Sequence, residues 1–459
     1  MNYERGRELQ ARLHHLVPGG SHTYSKGEDQ FPRQAPQIIE RGEGAYCWDV
    51  DGNRFIDWAM GNRVSVLGHA PPAVNEAVKR AIDRGLNFTR PSLLEYELAE
   101  YVVDLLPCAE MVKFAKNGSD VTSAAVRLAR AYTGRKYIAV AREHPFFSVN
   151  DWFIGTTAMH AGVPDEISAL TISFPYNDIE AVEQLVTEHP GQIAALMLEP
   201  VKNDEPVDGF LEKLRELASR EGIVLIFDEM IAGLRFDLRG AHHRYGVYPD
   251  IACFGKAVAS GYSCSILTGK RELMELGGLH HDRERVFLLS QTHGAESVGL
   301  AACRATLEEC ERNDVSGYIW EVGGKLVRAF RETAAAEGVE DQLRMIGFDC
   351  NPQIVCTQPD GTYSPLLQTL LQQELIAETV LMPWTTVTWA HREPEIERTI
   401  EALGSAIART ADAIKTGAVE ERVDGEPVKP VFRPYNRCRQ SACGRLVPSA
   451  PKLDCCTEA

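Results

Sequence analysis

Two uninterrupted apolar stretches, ALMLEPV (195–201) and GIVLIFDEM (222–230), bracket a segment of helical spacing, and this unit narrows the possible folds more than any other feature of the chain. In FLEKLRELASRE (210–221), Phe210, Leu211, Leu214, Leu217 and Ala218 fall on one helical face. Strand, helix and strand in that order form a crossover unit, and crossovers join parallel strands. Helices cover both faces of such a sheet, which explains why LIF and ALML are continuous apolar runs and do not alternate. The expected fold class is therefore α/β, with a doubly covered, mostly parallel sheet.

At 459 residues the chain exceeds what one core usually covers, so a large domain and a smaller one are expected. The stretch GAYCWDVDGNRFID (44–57) alternates around an Asp51-Gly52-Asn53 turn, the pattern of a β-hairpin. Helical spacing follows at 74–84 and 93–106, and VKFAK (112–116) reads as a strand entering the turn Asn117-Gly118-Ser119. After about residue 315 the order becomes helix, strand, helix and a last helix around EIERTIEALGSAIARTADAI. These signals divide the chain into an N-terminal segment of the small domain (1–60), a large domain (61–314), the rest of the small domain (315–420) and a Pro-, Arg- and Cys-rich tail (421–459) expected to be weakly ordered.

A formal net charge of −17 repels nucleic acid and anionic membrane surfaces alike, so neither is an expected partner. No apolar run approaches the ~20 residues that span a bilayer, and the start MNYERGRELQARLHHL is charged throughout, from which a cytoplasmic location is expected. Of the twelve cysteines, eight are scattered through apolar or mixed stretches, where a reduced core thiol is the default. The other four, Cys438, Cys443, Cys455 and Cys456, have no standard zinc spacing and no histidine among them, and no metal is expected.

Three short segments carry chemistry. Lys256 follows the strand-like PDIACF and a glycine; its charge either escapes to solvent along a flexible stem or, desolvated, makes the amine a Schiff-base nucleophile. Asp228 and Glu229 close the LIF strand, where open α/β sheets place ligands. A hydrated strand end or a helix cap would explain such acids equally, unless a buried cation such as a protonated pyridine nitrogen lies beside Asp228. Asn117-Gly118-Ser119-Asp120 stands between a strand and a helix and offers backbone N–H groups and a hydroxyl to an anion, although the same residues are also ordinary N-caps.

Taken in order, these segments resemble the class III aminotransferases of fold type I, and within them the glutamate-1-semialdehyde 2,1-aminomutases. The resemblance covers roughly residues 15–410. It is carried by PGG (18–20), GAYCWDVDGNRFID, GHAPPAV (68–74), NGSD (117–120), SAAVRLARAYTGR (123–135), GVP (162–164), PYND (175–178), MLEPV (197–201), IFDEMIAGLR (226–235), PDIACFGKAVASGY (249–262) and THG (292–294). It implies a seven-stranded, mostly parallel sheet in the large domain, a smaller α/β domain and pyridoxal 5'-phosphate as cofactor. It implies further that Lys256 forms the Schiff base and that Asp228 pairs with the pyridine nitrogen. Met230 and Phe146 would pack on the two cofactor faces, and Gly118 and Ser119 would bind the phosphate. Thr292 would reach the phosphate of a neighbouring subunit, which makes the active form a homodimer with shared sites.

The departures concern the substrate. Lys26 stands where the aminomutases have a carboxylate-binding arginine shortly after PGG, and it lacks the bidentate fork of a guanidinium. Phe147 takes the place of a histidine, Asn62 and Arg63 replace a Trp-Gly-Pro neighbourhood, and the approach to WAH (389–391) is shortened. The expected activity is ping-pong transfer of an amino group between an amino donor and a small carbonyl acceptor, with intramolecular aminomutase action as the alternative. Lys26, Arg63 and Arg90 are the candidate cations for substrate carboxylates, each equally readable as a solvated surface charge.

Overall fold

In the Asp51-Gly52-Asn53 turn, Gly52 adopts φ 86°, a left-handed conformation that suits glycine, and Asp49 Oδ1 accepts the N–H groups of Asp51 (3.1 Å) and Asn53 (2.8 Å). In a computed structural model describing residues 1–435, this turn joins β2 (Tyr46–Asp49) to β3 (Arg54–Asp57), with β1 (Ile39–Glu43) antiparallel to β2. The described chain forms two compact units, Pro72–Gly317 and Met1–Pro71 together with the residues from Tyr318 onward.

The Pro72–Gly317 unit is built on one sheet. Its strands are β4 (Met111–Ala115), β5 (Tyr137–Ala141), β6 (Thr171–Phe174), β7 (Ile193–Leu198), β8 (Val224–Asp228), β9 (Ile251–Phe254) and β10 (Ser265–Gly269), in the spatial order β4-β10-β9-β8-β7-β5-β6. β10 runs against both of its neighbours while β5 to β9 are mutually parallel, which makes this the mostly parallel seven-stranded sheet of fold type I. Every residue of β7 to β10 is buried, as the continuous apolar runs require. The helix Phe210–Glu221 between β7 and β8 buries Phe210, Leu211, Leu214, Leu217 and Ala218, and the phenylalanine and each leucine contribute roughly 1.5–3 kcal/mol by leaving water. At the amino edge of the sheet Asp250 binds Arg215 Nη1 (2.9 Å), Lys270 Nζ (2.6 Å) and the Leu225 N–H (2.8 Å). The acid of the PDIACF segment is thus consumed in structure, and the carboxyl edge is left for chemistry.

The other unit adds the hairpin β11 (Leu343–Phe348) and β12 (Asn351–Cys356), and β13 (Val380–Leu381), which lies parallel to β3. His391 stacks on Trp58 at 3.9 Å between ring centroids and reaches the Asp57 carbonyl oxygen with Nε2 (3.1 Å); burial pushes its pKa down to about 4. The Asp57 carboxylate accepts the N–H groups of Ala59 (2.8 Å) and Met60 (3.1 Å), and its Oδ2 lies 2.8 Å from His69 Nε2. This anchorage holds four successive left-handed residues, Met60 (φ 46°), Gly61 (60°), Asn62 (71°) and Arg63 (68°), a run that L-residues do not adopt without support.

The start of the expected tail is held down in this unit. The Val428 N–H donates to Thr369 Oγ1 (2.9 Å), the Lys429 N–H to the Asp29 carbonyl (2.8 Å), and Arg433 pairs with Asp29. Cys438, Cys443, Cys455 and Cys456 lie outside the described residues, while the eight described cysteines are all buried free thiols. Among the described residues no helix is long and apolar enough to cross a membrane, and no cluster of three or more His, Cys, Asp or Glu could hold a metal.

Candidate active site at the carboxyl edge of the sheet

Three adjacent parallel strands, β7, β8 and β9, end in Glu199, Asp228-Glu229 and Gly255-Lys256. Leu198 is level with Phe227, so Glu199 and Asp228 are level too and share one face of the sheet. Asp228 is 2% exposed, and its hydrogen-bond donor among the described residues is the main-chain N–H of Met230 (2.9 Å). Burial, reinforced by the charge of Glu199, pushes the Asp228 carboxyl up to about 7, against the pull of Lys256 and of that N–H. A buried acid bonded at Oδ1 by a main-chain N–H is suited to hold a cationic group brought in by a ligand. Lys256 follows at φ 46°, a left-handed backbone for a non-glycine residue, and its charge is felt by both Asp228 and Glu199.

The turn after β4 leads into the sixteen-residue helix Gly118–Thr133, whose first N–H groups have no intrahelical partners. Asp120 Oδ2 accepts the Asn117 N–H (3.1 Å), and Ser119 Oγ accepts the Val149 N–H (3.0 Å), which leaves the serine's own proton to donate. Met230 joins this turn to Lys256. A Cβ on Gly118 would lie 2.9 Å from Met230 Sδ, and one on Gly255 would lie 2.5 Å from it. Both glycines therefore leave room for one thioether, which packs between the helix start and the residue before the lysine and would have to shift for a Cβ at either position. Gly255→Ala is expected to destabilise the fold by roughly 1–3 kcal/mol, and Met230→Ala in the same chain to recover part of the loss. Thermal denaturation of the apoproteins measures both, and an unshifted Gly255→Ala midpoint would show that Met230 yields freely.

The remaining expected residues are spread more widely. Phe146 is 43% exposed and meets Phe153 edge-on at 6.0 Å, whereas Phe147 is buried against the same ring at 5.5 Å. Thr292 and Arg90 are exposed in the same unit, and the Thr292 carbonyl accepts from Asn87 Nδ2 (2.8 Å). Lys26, exposed, and Arg63, half-buried in the left-handed run, belong to the unit that carries β1 to β3. A cavity of about 660 Å3 lined by Glu110, Tyr132, Lys270, Arg271 and Arg283 opens at the amino edge and contains none of these groups.

Other polar groups at the carboxyl edge were given no role in the sequence-based site. Glu229 accepts the N–H groups of Ala241 (3.0 Å) and His242 (2.9 Å) and contacts His242 Nδ1 (2.9 Å), so the second acid of the Asp-Glu pair fixes the following segment. Burial lowers the His242 pKa, but Cys108 and Glu229 outweigh it and bring it up to about 10. Glu199 pairs with Lys202 at 3.0 Å, and His144, driven down to about 3 by burial, accepts the Glu199 N–H at 3.0 Å. Only MLEPV pointed toward Glu199, as a quoted motif without a role.

Residues 27–380 match the family model described as Aminotransferase class-III. The chain belongs to that family. As a class III aminotransferase it is a pyridoxal-phosphate-dependent enzyme. Among its curated relatives is the glutamate-1-semialdehyde 2,1-aminomutase of Ignicoccus hospitalis, 33% identical over 88% of this chain and 99% of that protein. Among solved structures, the FumI protein of a Sphingopyxis species in its PLP internal aldimine form superposes with a TM-score of 0.82, at 25% identity over 90% of this chain and 98% of the other. An omega-transaminase from Sphaerobacter thermophilus gives a TM-score of 0.80, also at 25% identity, over 89% and 98%. The cofactor's chemistry suits the residues present, since Gly118 and Ser119 could take its phosphate, Asp228 its ring nitrogen and Lys256 its aldehyde.

Proposed function

We propose that this class III aminotransferase carries an amino group from an amino donor to a small carbonyl acceptor in two half-reactions, with Lys256 as both the attachment point and the proton carrier. The observation that carries the reading is the convergence of Asp228, buried and held near neutrality, with Lys256 and the Gly118-Ser119 turn around Met230. The bound cofactor supplies an aldehyde that captures amines and a ring that draws electrons from the substrate Cα. Asp228 holds a proton at the ring nitrogen, and the helix-start N–H groups with Ser119 Oγ anchor the phosphate. Lys256, at the carboxyl edge of the sheet, would hold the cofactor and would supply the amine that moves the proton at the substrate Cα. Met230 and Phe146 would cover the two ring faces.

Substrate carboxylates would be met by Lys26, Arg63 or Arg90. The anchored run at 60–63 gives Arg63 a fixed backbone, which favours it for a preorganised contact. A homodimer with shared sites belongs to the same reading. Leu86, Phe88, Leu93 and Tyr96 are 45–70% exposed in a stretch bound to the Thr292 loop through Asn87, an apolar surface suited to a second copy. A cytoplasmic location accompanies it, in keeping with the buried free thiols.

Intramolecular aminomutase action is the second reading, favoured by the 33% identity to the Ignicoccus enzyme. Against it stand Lys26 in place of an arginine and Phe147, a buried residue, in place of the aminomutases' histidine. Losing a forked contact to a buried carboxylate costs on the order of 1.5–3 kcal/mol, about ten- to a hundredfold in binding. The enzyme is therefore expected to convert glutamate-1-semialdehyde to 5-aminolevulinate poorly without an added acceptor, while a panel of amino donors converts the bound cofactor to pyridoxamine phosphate. Efficient semialdehyde conversion would install the aminomutase reading instead.

A further inference from the structure

Glu199 and Lys202 form a buried ion pair that the proposed reaction does not use. Glu199 is 3% exposed and its Oε1 receives Lys202 Nζ at 3.0 Å, while its buried Oε2 has no hydrogen-bond partner. Lys202 itself is largely buried, with its side chain 14% exposed. Nothing in the packing of β7 calls for a charge here, and a buried pair of this kind is seldom retained for stability alone. Its position suggests another role, because Glu199 stands level with Asp228 on the adjacent strand.

The neighbouring charges make the arrangement consequential. From β8 come Asp228 and Glu229, the latter already engaged by His242; from β9 come Cys253 and, just beyond, Lys256. After β5 lie Glu143, which accepts the Tyr176 N–H, and His144, which is neutral; after β6, Tyr176 donates its hydroxyl to the Pro200 carbonyl. Asp204 and Glu205 follow Lys202 in the same loop, and both act on Tyr176. Among these groups Lys202, Lys256 and His144 are the cationic or basic ones that act on Glu199. Two carboxylates, Glu199 and Asp228, thus compete for the charge of Lys256.

We propose that Lys202 offsets much of the charge of Glu199, so that Asp228 outweighs Glu199 in setting how tightly the Lys256 nitrogen keeps its proton. The inference rests on the reading of Lys256 as the cofactor-bearing lysine. Glu199 and Lys202 are positioning residues in this scheme, since both act through Lys256 and Asp228. With Lys202 in place, Lys256 gives up its proton at a pH where it can accept one from substrate. Without it, Glu199 turns to the remaining cation and the amine stays charged.

The test is a pH titration of the holoenzyme, following the visible absorbance change of the bound cofactor that reports the proton on the Lys256 nitrogen. Lys202→Met is expected to raise the midpoint by about one pH unit and Glu199→Gln to lower it by a similar amount, as removal of one nearby charge requires. The double variant, which buries no unpaired charge, is expected to return close to the parent value, because neither partner acts without the other. A Lys202→Met midpoint that stays or falls overturns the proposal, as does a double variant whose midpoint stays displaced as far as that of either single variant. If Lys202→Met does not fold, an unmoved Glu199→Gln midpoint overturns it just as directly. Borohydride reduction and peptide mapping of the parent separate this failure from that of the site itself, since a label on another lysine defeats the Lys256 reading and the proposal with it, whereas a label on Lys256 with unmoved midpoints defeats the proposal alone.

Discussion

Lys256→Ala is expected to fold, to bind pyridoxal phosphate weakly and to lose turnover. The expected loss is about 10^4-fold or more, because the replacement removes the attachment point and the group that moves the Cα proton in one step. Alanine should tolerate the site as well as lysine does. Both are L-residues asked to adopt φ 46°, so the backbone cost is already present in the parent, and the helix-start and Met230 contacts do not involve the lysine side chain. The test compares single-turnover rates, with a small primary amine added to replace the missing Nζ. Partial recovery by the amine would locate the defect in proton transfer, and borohydride should fix cofactor to Lys256 in the parent but not in the variant. Turnover by Lys256→Ala near the parent rate would remove Lys256 from the site.

The carboxyl-edge chemistry was legible in the sequence wherever a short motif determines its own geometry. The runs ALML and LIF around an amphipathic helix dictated parallel strands, and parallel strands dictated where Asp228 and Lys256 end up. The NGSD turn could be read as an anion site because a helix start exposes its N–H groups whatever lies nearby. What escaped were relations set by register across distant segments. That Glu199 is level with Asp228 depends on β7 pairing with β8 at Leu198 and Phe227, which no local pattern announces. That Met230 packs against glycine at both 118 and 255 depends on three strands meeting, although each glycine had been noticed for a different reason. Asp57, His69 and His391 support the left-handed run at 60–63 through contacts that span more than three hundred residues in sequence, and only the unusual Asn62-Arg63 pair hinted at it. The anchoring of residues 428–433 was hidden for a related reason, since it uses main-chain and charged groups and not a hydrophobic period.

Asp228→Asn is expected to keep the cofactor yet slow the Cα proton step by about 10^2–10^4-fold. A neutral amide of the same shape cannot hold the ring nitrogen protonated, and breaking a buried ion pair from one side costs about 3–5 kcal/mol, which sets that range. The same substitution has an opposite effect on the apoprotein, and this second measurement is independent of catalysis. Burial and Glu199 raise the folded-state pKa of Asp228 from 3.8 to about 7, so between those values the folded chain binds more protons than the unfolded one. Apoprotein stability should then fall as pH rises through this window, by on the order of 4 kcal/mol at most from this group. Asparagine has no such proton to lose. Apo Asp228→Asn should therefore melt above the apo parent at pH near 8, and the two should converge as pH approaches 4. Adding pyridoxal phosphate should reverse the order at high pH, because the cofactor's ring nitrogen gives the parent carboxylate an adjacent cation and gives the amide nothing. Apoproteins that melt together at every pH, or a variant whose single-turnover rate matches the parent, would take Asp228 out of the role assigned to it.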